Sequence, residues 1–262
     1  MVTLYERVAS RLIGTPLQRP AEWLRRLNGA GFRRTHPELV EIFREDERID
    51  RVMRAEIRVD TNCVDIGCHV GAYLQKIVTL APAGRHHAFE PVPDKAAWLR
   101  RKFPGVSVVE AALDDAEGTK DFFVDPSQTA LSGLSPHARG VGPQTLRVQC
   151  RRLDDVIDEG TRVGFIKVDV NGGELPALRG ARRLLLHDRP FVLLGCTQGG
   201  LGDYDISADE VFEFLVDQAG YRIFLLKDRL GDGPPLDAAA FRESMVYPFA
   251  AFNYAVVPVG AP

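Results

Sequence analysis

The segment Val64-Asp65-Ile66-Gly67-Cys68-His69-Val70-Gly71 constrains this chain more tightly than any other feature of it. A short apolar run, 63–66, carries an acid, turns through two glycines and opens directly into a helical pattern over 73–80. Glycine adopts backbone conformations closed to other residues and lets a ligand or neighbouring segment approach closely. The helix start beyond it offers free N–H groups and positive potential to an anionic group. Such a unit belongs to folds in which strands and helices alternate.

The rest of the chain continues that alternation. Strand-like runs are expected at 87–90, 106–111, 163–170, 191–196, 221–226 and 253–257. Helices are expected at 95–103, near 174–186 and near 208–219. The pattern predicts an α/β fold, a doubly wound and mostly parallel sheet covered on both faces. No helix stands out between the last two strands, so one strand is expected to enter antiparallel. Runs 120–124 and 146–150 read as a hairpin inserted at about 118–150, flanking a loop rich in Ser, Gly and Pro.

Residues 1–58 read as an N-terminal helical extension ahead of a main domain at 59–262. Leu4, Val8 and Leu12 recur at helical spacing, Trp23, Leu24 and Leu27 form a second stripe, and 37–57 a third. The extension would serve as a cap over the main domain or as a lid over a substrate pocket. The 262 residues are 45% hydrophobic and 26% charged, which suits a protein with a substantial core. A formal charge of −3 gives no basic footprint for nucleic acid. Cys63, Cys68, Cys150 and Cys196 contain no C-x-x-C pair, so neither a zinc knuckle nor a thioredoxin-like motif is indicated, and no metal site is expected. A reduced, cytoplasmic setting follows, with no signal-peptide pattern and no run long enough to span a bilayer.

Glu90 closes the second strand in His87-Ala88-Phe89-Glu90, and Pro91 stops that strand sharply. An acid at this place commonly accepts hydrogen bonds from a ribose diol. A nicotinamide site would ordinarily present G-x-G-x-x-G, whereas this loop reads Asp65-x-Gly67-x-x-x-Gly71. Asp114, after Ala111-Ala112-Leu113, lies where it could approach an adenine edge or stand as a solvated turn acid.

These residues resemble an FkbM-family methyltransferase. The likeness runs from VDIGCHVG through AFEP and AALDDAEGTKDFFV to IKVDVNGGELPALRGA and RPFVLLGCT, roughly residues 36–226. The resemblance implies a class I methyltransferase (Rossmann-like) fold, S-adenosyl-L-methionine as donor and S-adenosyl-L-homocysteine as product. It also implies transfer to a hydroxyl of a sugar, lipid or polyketide-type natural product, with a small-molecule acceptor and no nucleic-acid partner. The acid before the first glycine then helps orient the amino-acid end of the donor. The expected donor-site residues are Asp65, Gly67, Cys68, His69, Gly71, Glu90, Pro91, Ala112, Leu113, Asp114 and Asp169.

The fourth-strand motif supplies the expected chemistry. Where the family pattern reads IKIDVEGAE, this chain reads Ile166-Lys167-Val168-Asp169-Val170-Asn171-Gly172-Gly173-Glu174. Asp169 is the first candidate to deprotonate or orient an acceptor, Glu174 the second and the loop residue His137 the third. Glu174 also fits a helix-start charge. Asn171 stands where the family has a glutamate, and Gly195 where it usually has another acid. Asparagine can hydrogen-bond but cannot accept a proton at ordinary pH. The competing reading is a donor-binding scaffold that has lost or changed its activity.

Overall fold

The computed structural model describes residues 12–17, 20, 30–125, 132–135 and 144–260. Leu4, Val8, Trp23, Leu24, Leu27 and His137 lie outside the described residues, as does most of the loop between the hairpin strands.

Strands β1 (Cys63–Ile66), β2 (His87–Phe89) and β3 (Ser107–Val109) form one half of the main sheet. Strands β7 (Phe165–Val168), β8 (Phe191–Gly195), β9 (Tyr221–Leu225) and β10 (Asn253–Pro258) form the other. The order is β3-β2-β1-β7-β8-β10-β9. The β3-β2-β1-β7-β8 pairings are parallel, and β10 runs antiparallel to both neighbours. The chain order reverses between β1 and β7, and ligands of open α/β sheets bind beyond the strand ends at such a point.

Alternating side chains split the core into two layers. Val64, Ile66, Ile166, Val168, Val192 and Leu194 pack against Leu175, Leu178, Leu184 and Leu215 on one face. Cys63, Phe165, Phe191, Leu193 and Ala255 face the opposite side, where Ile49, Val52 and Met53 cover them. Those three come from helix α1 (Glu45–Glu56), whose apolar residues recur at helical spacing behind an acidic first turn. This third expected N-terminal stretch is therefore a layer of the sheet core. The Glu45 carboxylate is buried and accepts hydrogen bonds from the Phe252 and Asn253 N–H groups at 2.8 and 2.9 Å, and from Asn253 Nδ2 at 3.1 Å. It joins the start of α1 to the entry of β10.

Several boundaries differ from the sequence reading for identifiable reasons. The stretch 174–186 divides into α2 (Glu174–Arg179) and α3 (Arg182–His187) around Gly180. A Cβ on Gly180 would lie 2.1 Å from the Asp114 carbonyl oxygen, so the break is a close backbone crossing. The stretch 208–219 begins as α-helix at Ala208–Phe212 and widens to a π-helix over Glu213–Gln218. Between β9 and β10, where no helix stood out, lie Leu226–Leu230 and Ala238–Ser244. The inserted hairpin is β5 (Gly118–Val124) with β6 (Gln144–Arg151), and a two-residue strand β4 (Ala112–Leu113) joins β6 in parallel to make a second, three-stranded sheet. No helix among the described residues is long and apolar enough to cross a membrane.

Replacing Glu45 by Ala removes the acceptor for two part-buried backbone donors. Leaving such donors unsatisfied costs about 1–3 kcal/mol each before relaxation. Urea unfolding of Glu45→Ala should show a stability loss of about 2–3 kcal/mol with an unchanged m-value. A wild-type midpoint would show that this junction contributes nothing.

Candidate donor and acceptor site

Two backbone turns meet at the sheet's reversal point. Gly67 has φ +78°, and a Cβ there would lie 2.1 Å from the Asp169 carbonyl oxygen. The loops that leave β1 and β7 are thus in direct backbone contact, which only glycine permits. Gly71, φ +87°, serves a different purpose: its missing Cβ makes room for Phe103 and Leu99, 2.6 and 2.9 Å away. The first glycine shapes the site and the second seats the neighbouring helix, Pro93–Lys102.

The free N–H groups expected in this loop are largely engaged within the protein. Gly67 and Cys68 donate to the Phe89 carbonyl at 3.1 and 3.2 Å, and Gly71 donates to that of Cys68 at 2.8 Å. The His69 N–H donates to Glu90 Oε2 at 2.9 Å, while the Val92 N–H meets Glu90 Oε1 at 3.0 Å. Glu90 therefore fastens the loop to the end of β2. Burial pushes its carboxyl up to about 7, against the opposing pull of Lys95 and the two N–H donors.

Behind the loop lies a buried charge cluster. Lys167 Nζ is 3.5 Å from Asp65 Oδ1 and 3.9 Å from Asp169 Oδ2. It also donates to the carbonyls of Gly67 at 2.9 Å and Ile66 at 3.3 Å. Burial alone would lower the Lys167 pKa, but the flanking carboxylates of Asp65 and Asp169 raise it, so the ammonium stays charged. Asp65 is fully buried, and among the described residues its carboxylate is met by Lys167 at ion-pair distance rather than by a close hydrogen bond. Burial raises its pKa, with Lys167 pulling the other way.

The cleft in front of this cluster is lined by seven of the expected residues: Gly67, His69, Glu90, Pro91, Ala112, Leu113 and Asp169. Asp65, Cys68, Gly71, Asp114 and Glu174 are not in its lining. Cys68 is buried and donates through Sγ to the Asp65 carbonyl at 3.0 Å. Asp114 is buried in an ion pair with Lys120 rather than solvated at a turn. Glu174 accepts from the Val170 N–H at 2.9 Å and from the Gly172 N–H at 2.9 and 3.1 Å, locking the turn after β7. Burial pushes its carboxyl up to about 7. Asp169 is the exception in this group of acids, with a side chain 46% exposed at the cleft.

Gly195 lies beside the Asp169 side chain. A Cβ on it would lie 3.0–3.2 Å from the Asp169 side chain. An acid at position 195 would compete with Asp169 for the same space. The sequence reading missed Lys95, Phe122, Leu134 and Tyr204, which also line the cleft. They come from helix, hairpin and loop positions outside the glycine motif, and no local spacing marks them.

A seven-stranded sheet of this order, with one reversed strand, a glycine turn after β1 and an acid after β2, is the class I methyltransferase architecture. The model for the methyltransferase FkbM domain matches residues 65–223, more than half of the chain. The chain belongs to the FkbM methyltransferase family. Its similarity to the AMB antimetabolite synthetase AmbE of Pseudomonas aeruginosa is 26% identity over 214 residues, covering 66% of this chain and 10% of that protein. The chain thus spans about a tenth of the length of the curated relative it matches. Methyltransferase FkbM from Methylobacillus flagellatus KT is 18% identical with a TM-score of 0.46, over 77% of this chain and 44% of that one. An rRNA methylase from Streptococcus thermophilus is 12% identical with a TM-score of 0.43, over 82% and 96%.

The family's cofactor is S-adenosylmethionine, and the residues present fit it. Glu90 at the cleft offers carboxylate acceptors suited to ribose hydroxyls, and Gly67 lets the β1 and β7 turns close together at the cleft's edge, with the Lys167–Asp65 pair buried behind them. Hydroxyl donors favour the ionised form of Glu90. With its carboxyl near 7, donor binding below that pH must expel a proton, so affinity should rise as pH increases from about 6 to about 8. Calorimetry with S-adenosylhomocysteine should show this trend and its loss in Glu90→Gln. A pH-independent affinity in the parent protein would contradict the assignment.

Proposed function

We propose that this chain is an S-adenosylmethionine-dependent O-methyltransferase that modifies a hydroxyl of a small molecule, such as a sugar, lipid or polyketide-type metabolite. The observation that carries the reading is Asp169, an accessible carboxylate at the end of β7, beside the Gly67 turn and in the same cleft as Glu90. The bound donor supplies a methyl carbon already activated by its sulfonium charge. The protein's part is alignment, exclusion of water and removal of one proton. With the donor bound, the Asp169 carboxylate would accept the proton that the acceptor hydroxyl gives up on methylation. Lys167, 3.9 Å behind, holds that carboxylate toward the cleft and keeps the local charge balanced.

Glu174 is a poorer base because its oxygens already accept backbone N–H groups. The net charge of −3 supports a small acceptor over a nucleic acid. Four free, buried cysteines suit a reduced, cytoplasmic setting. A donor-binding scaffold without transfer is the second reading, favoured by Asn171 and Gly195 at positions where the family pattern has acids. The room that Gly195 leaves for Asp169 weighs against it.

Asp169→Asn keeps size and much of the hydrogen bonding but removes proton acceptance. General-base contributions run to about 10²–10⁴-fold, and single-turnover transfer should fall by an amount in that range while donor affinity holds. Transfer at the parental rate would rule out a base role. Gly195→Glu, which restores the expected acid, should lower transfer rather than raise it, because the new side chain displaces Asp169. Faster transfer in that variant would reverse the roles assigned to the two positions.

A further inference from the structure

Ser132, Gly133 and Leu134 line one wall of the donor cleft without belonging to a regular element. Gly133 exchanges two backbone hydrogen bonds with Phe123 of β5, at 2.8 and 3.1 Å. These fix the segment along the small sheet but not across the cleft. Ser135 Oγ donates to the Asp203 carbonyl at 2.5 Å, and two side chains from the opposite wall add to that second restraint. The Tyr204 hydroxyl oxygen accepts the Leu134 N–H at 2.7 Å, and Asn171 Nδ2 donates to the Ser132 carbonyl at 3.2 Å.

Both side chains are placed by their surroundings. A Cβ on Gly172 would lie 2.7 Å from Tyr204 Cδ2, and one on Gly133 would lie 3.0 Å from the Tyr204 hydroxyl oxygen. The ring therefore fits only because glycines flank it on both walls. Burial pushes the Tyr204 phenol up to about 12, so it stays protonated through the neutral range. Asn171 sits at φ +56°, a left-handed conformation that asparagine adopts more readily than most residues. A carboxylate at 171 would bring its oxygens to the Ser132 carbonyl oxygen with no hydrogen to share. The loss of the expected acid thus coincides with the gain of a donor that this wall uses.

We propose that Tyr204 and Asn171 are positioning residues that clamp residues 132–135 across the donor cleft and set how fast the donor and its demethylated product leave. This inference rests on the donor reading of the cleft. Each bond restrains the same short segment, so the two act as one device. The clamp acts on the cleft wall, separately from the proton removal proposed for Asp169.

The test uses the full chain with Tyr204→Phe, Asn171→Gly and the double variant. Asn171→Gly keeps the positive φ available, so any loss belongs to the missing amide. Without ligand, hydrogen exchange at the Leu134 amide should be faster in Tyr204→Phe. Stopped-flow release of S-adenosylhomocysteine should be about 3–10-fold faster in each single variant, the loss expected for one neutral hydrogen bond. The double variant should not multiply the two effects, because both bonds hold the same residues. The penalty should fall on KM for the donor more than on single-turnover transfer. Parental exchange at Leu134 and parental release in both single variants of a protein that binds S-adenosylhomocysteine would overturn the clamp. A parent protein that fails to bind S-adenosylhomocysteine would instead overturn the donor reading beneath it.

Discussion

Lys167 is the point through which the sheet and the site depend on each other. Its strand pairs in register with β1, so Lys167 lies directly beside Asp65 on the same face. The ammonium reaches two carboxylates and two carbonyls, those of Asp65, Asp169, Ile66 and Gly67. Burying a charge costs several kcal/mol unless a partner offsets it, and removing one member of a buried pair strands the other. Among the described residues, Asp65 is met by Lys167 rather than by a close hydrogen bond. The glycine turn, the end of β7 and the exposed carboxylate are thus held in one frame by a single side chain.

Backbone contact makes that frame tight. The Gly67 turn touches the Asp169 carbonyl with no room for a methyl group, and Gly195 leaves space for the Asp169 side chain on the other side. Glu90 fastens the far end of the loop through two N–H groups while still lining the cleft. Glu174 does the same for the turn after β7 from beneath. These two buried acids hold backbone turns, whereas Asp169 is exposed at the cleft. The side chains are nearly equivalent in kind, so it is their surroundings that set them apart.

Much of this was legible in the sequence because its signals are local. An apolar run ending in Asp65-x-Gly67, an acid closing the next strand and the Lys167-x-Asp169 alternation each lie within one strand and its following turn. One antiparallel strand was also expected, although the ground for it, a missing helix before the last strand, does not hold, since two short helices lie there. What escaped were features made by distant segments meeting. The break at Gly180 reflects its crossing with Asp114, and the helix α1 proved to be a core layer through contacts with strands more than a hundred residues away. Tyr204 carries no motif, and its place in the cleft depends on glycines in two other loops. Glu174 looked like a helix-start charge or a base, yet its partners are the N–H groups of its own preceding turn.

The proposed reaction moves a methyl group to an acceptor oxygen beside Asp169. The most direct measurement supplies the purified chain with donor carrying a carbon-13 methyl group and a fractionated small-metabolite extract. Product analysis by mass spectrometry and carbon-13 NMR then locates the label. The expected result is a labelled small molecule with the carbon in an O-methyl group, and loss of that product in Asp169→Asn. Donor binding without any labelled product, or label found on nitrogen or on nucleic acid, would contradict it.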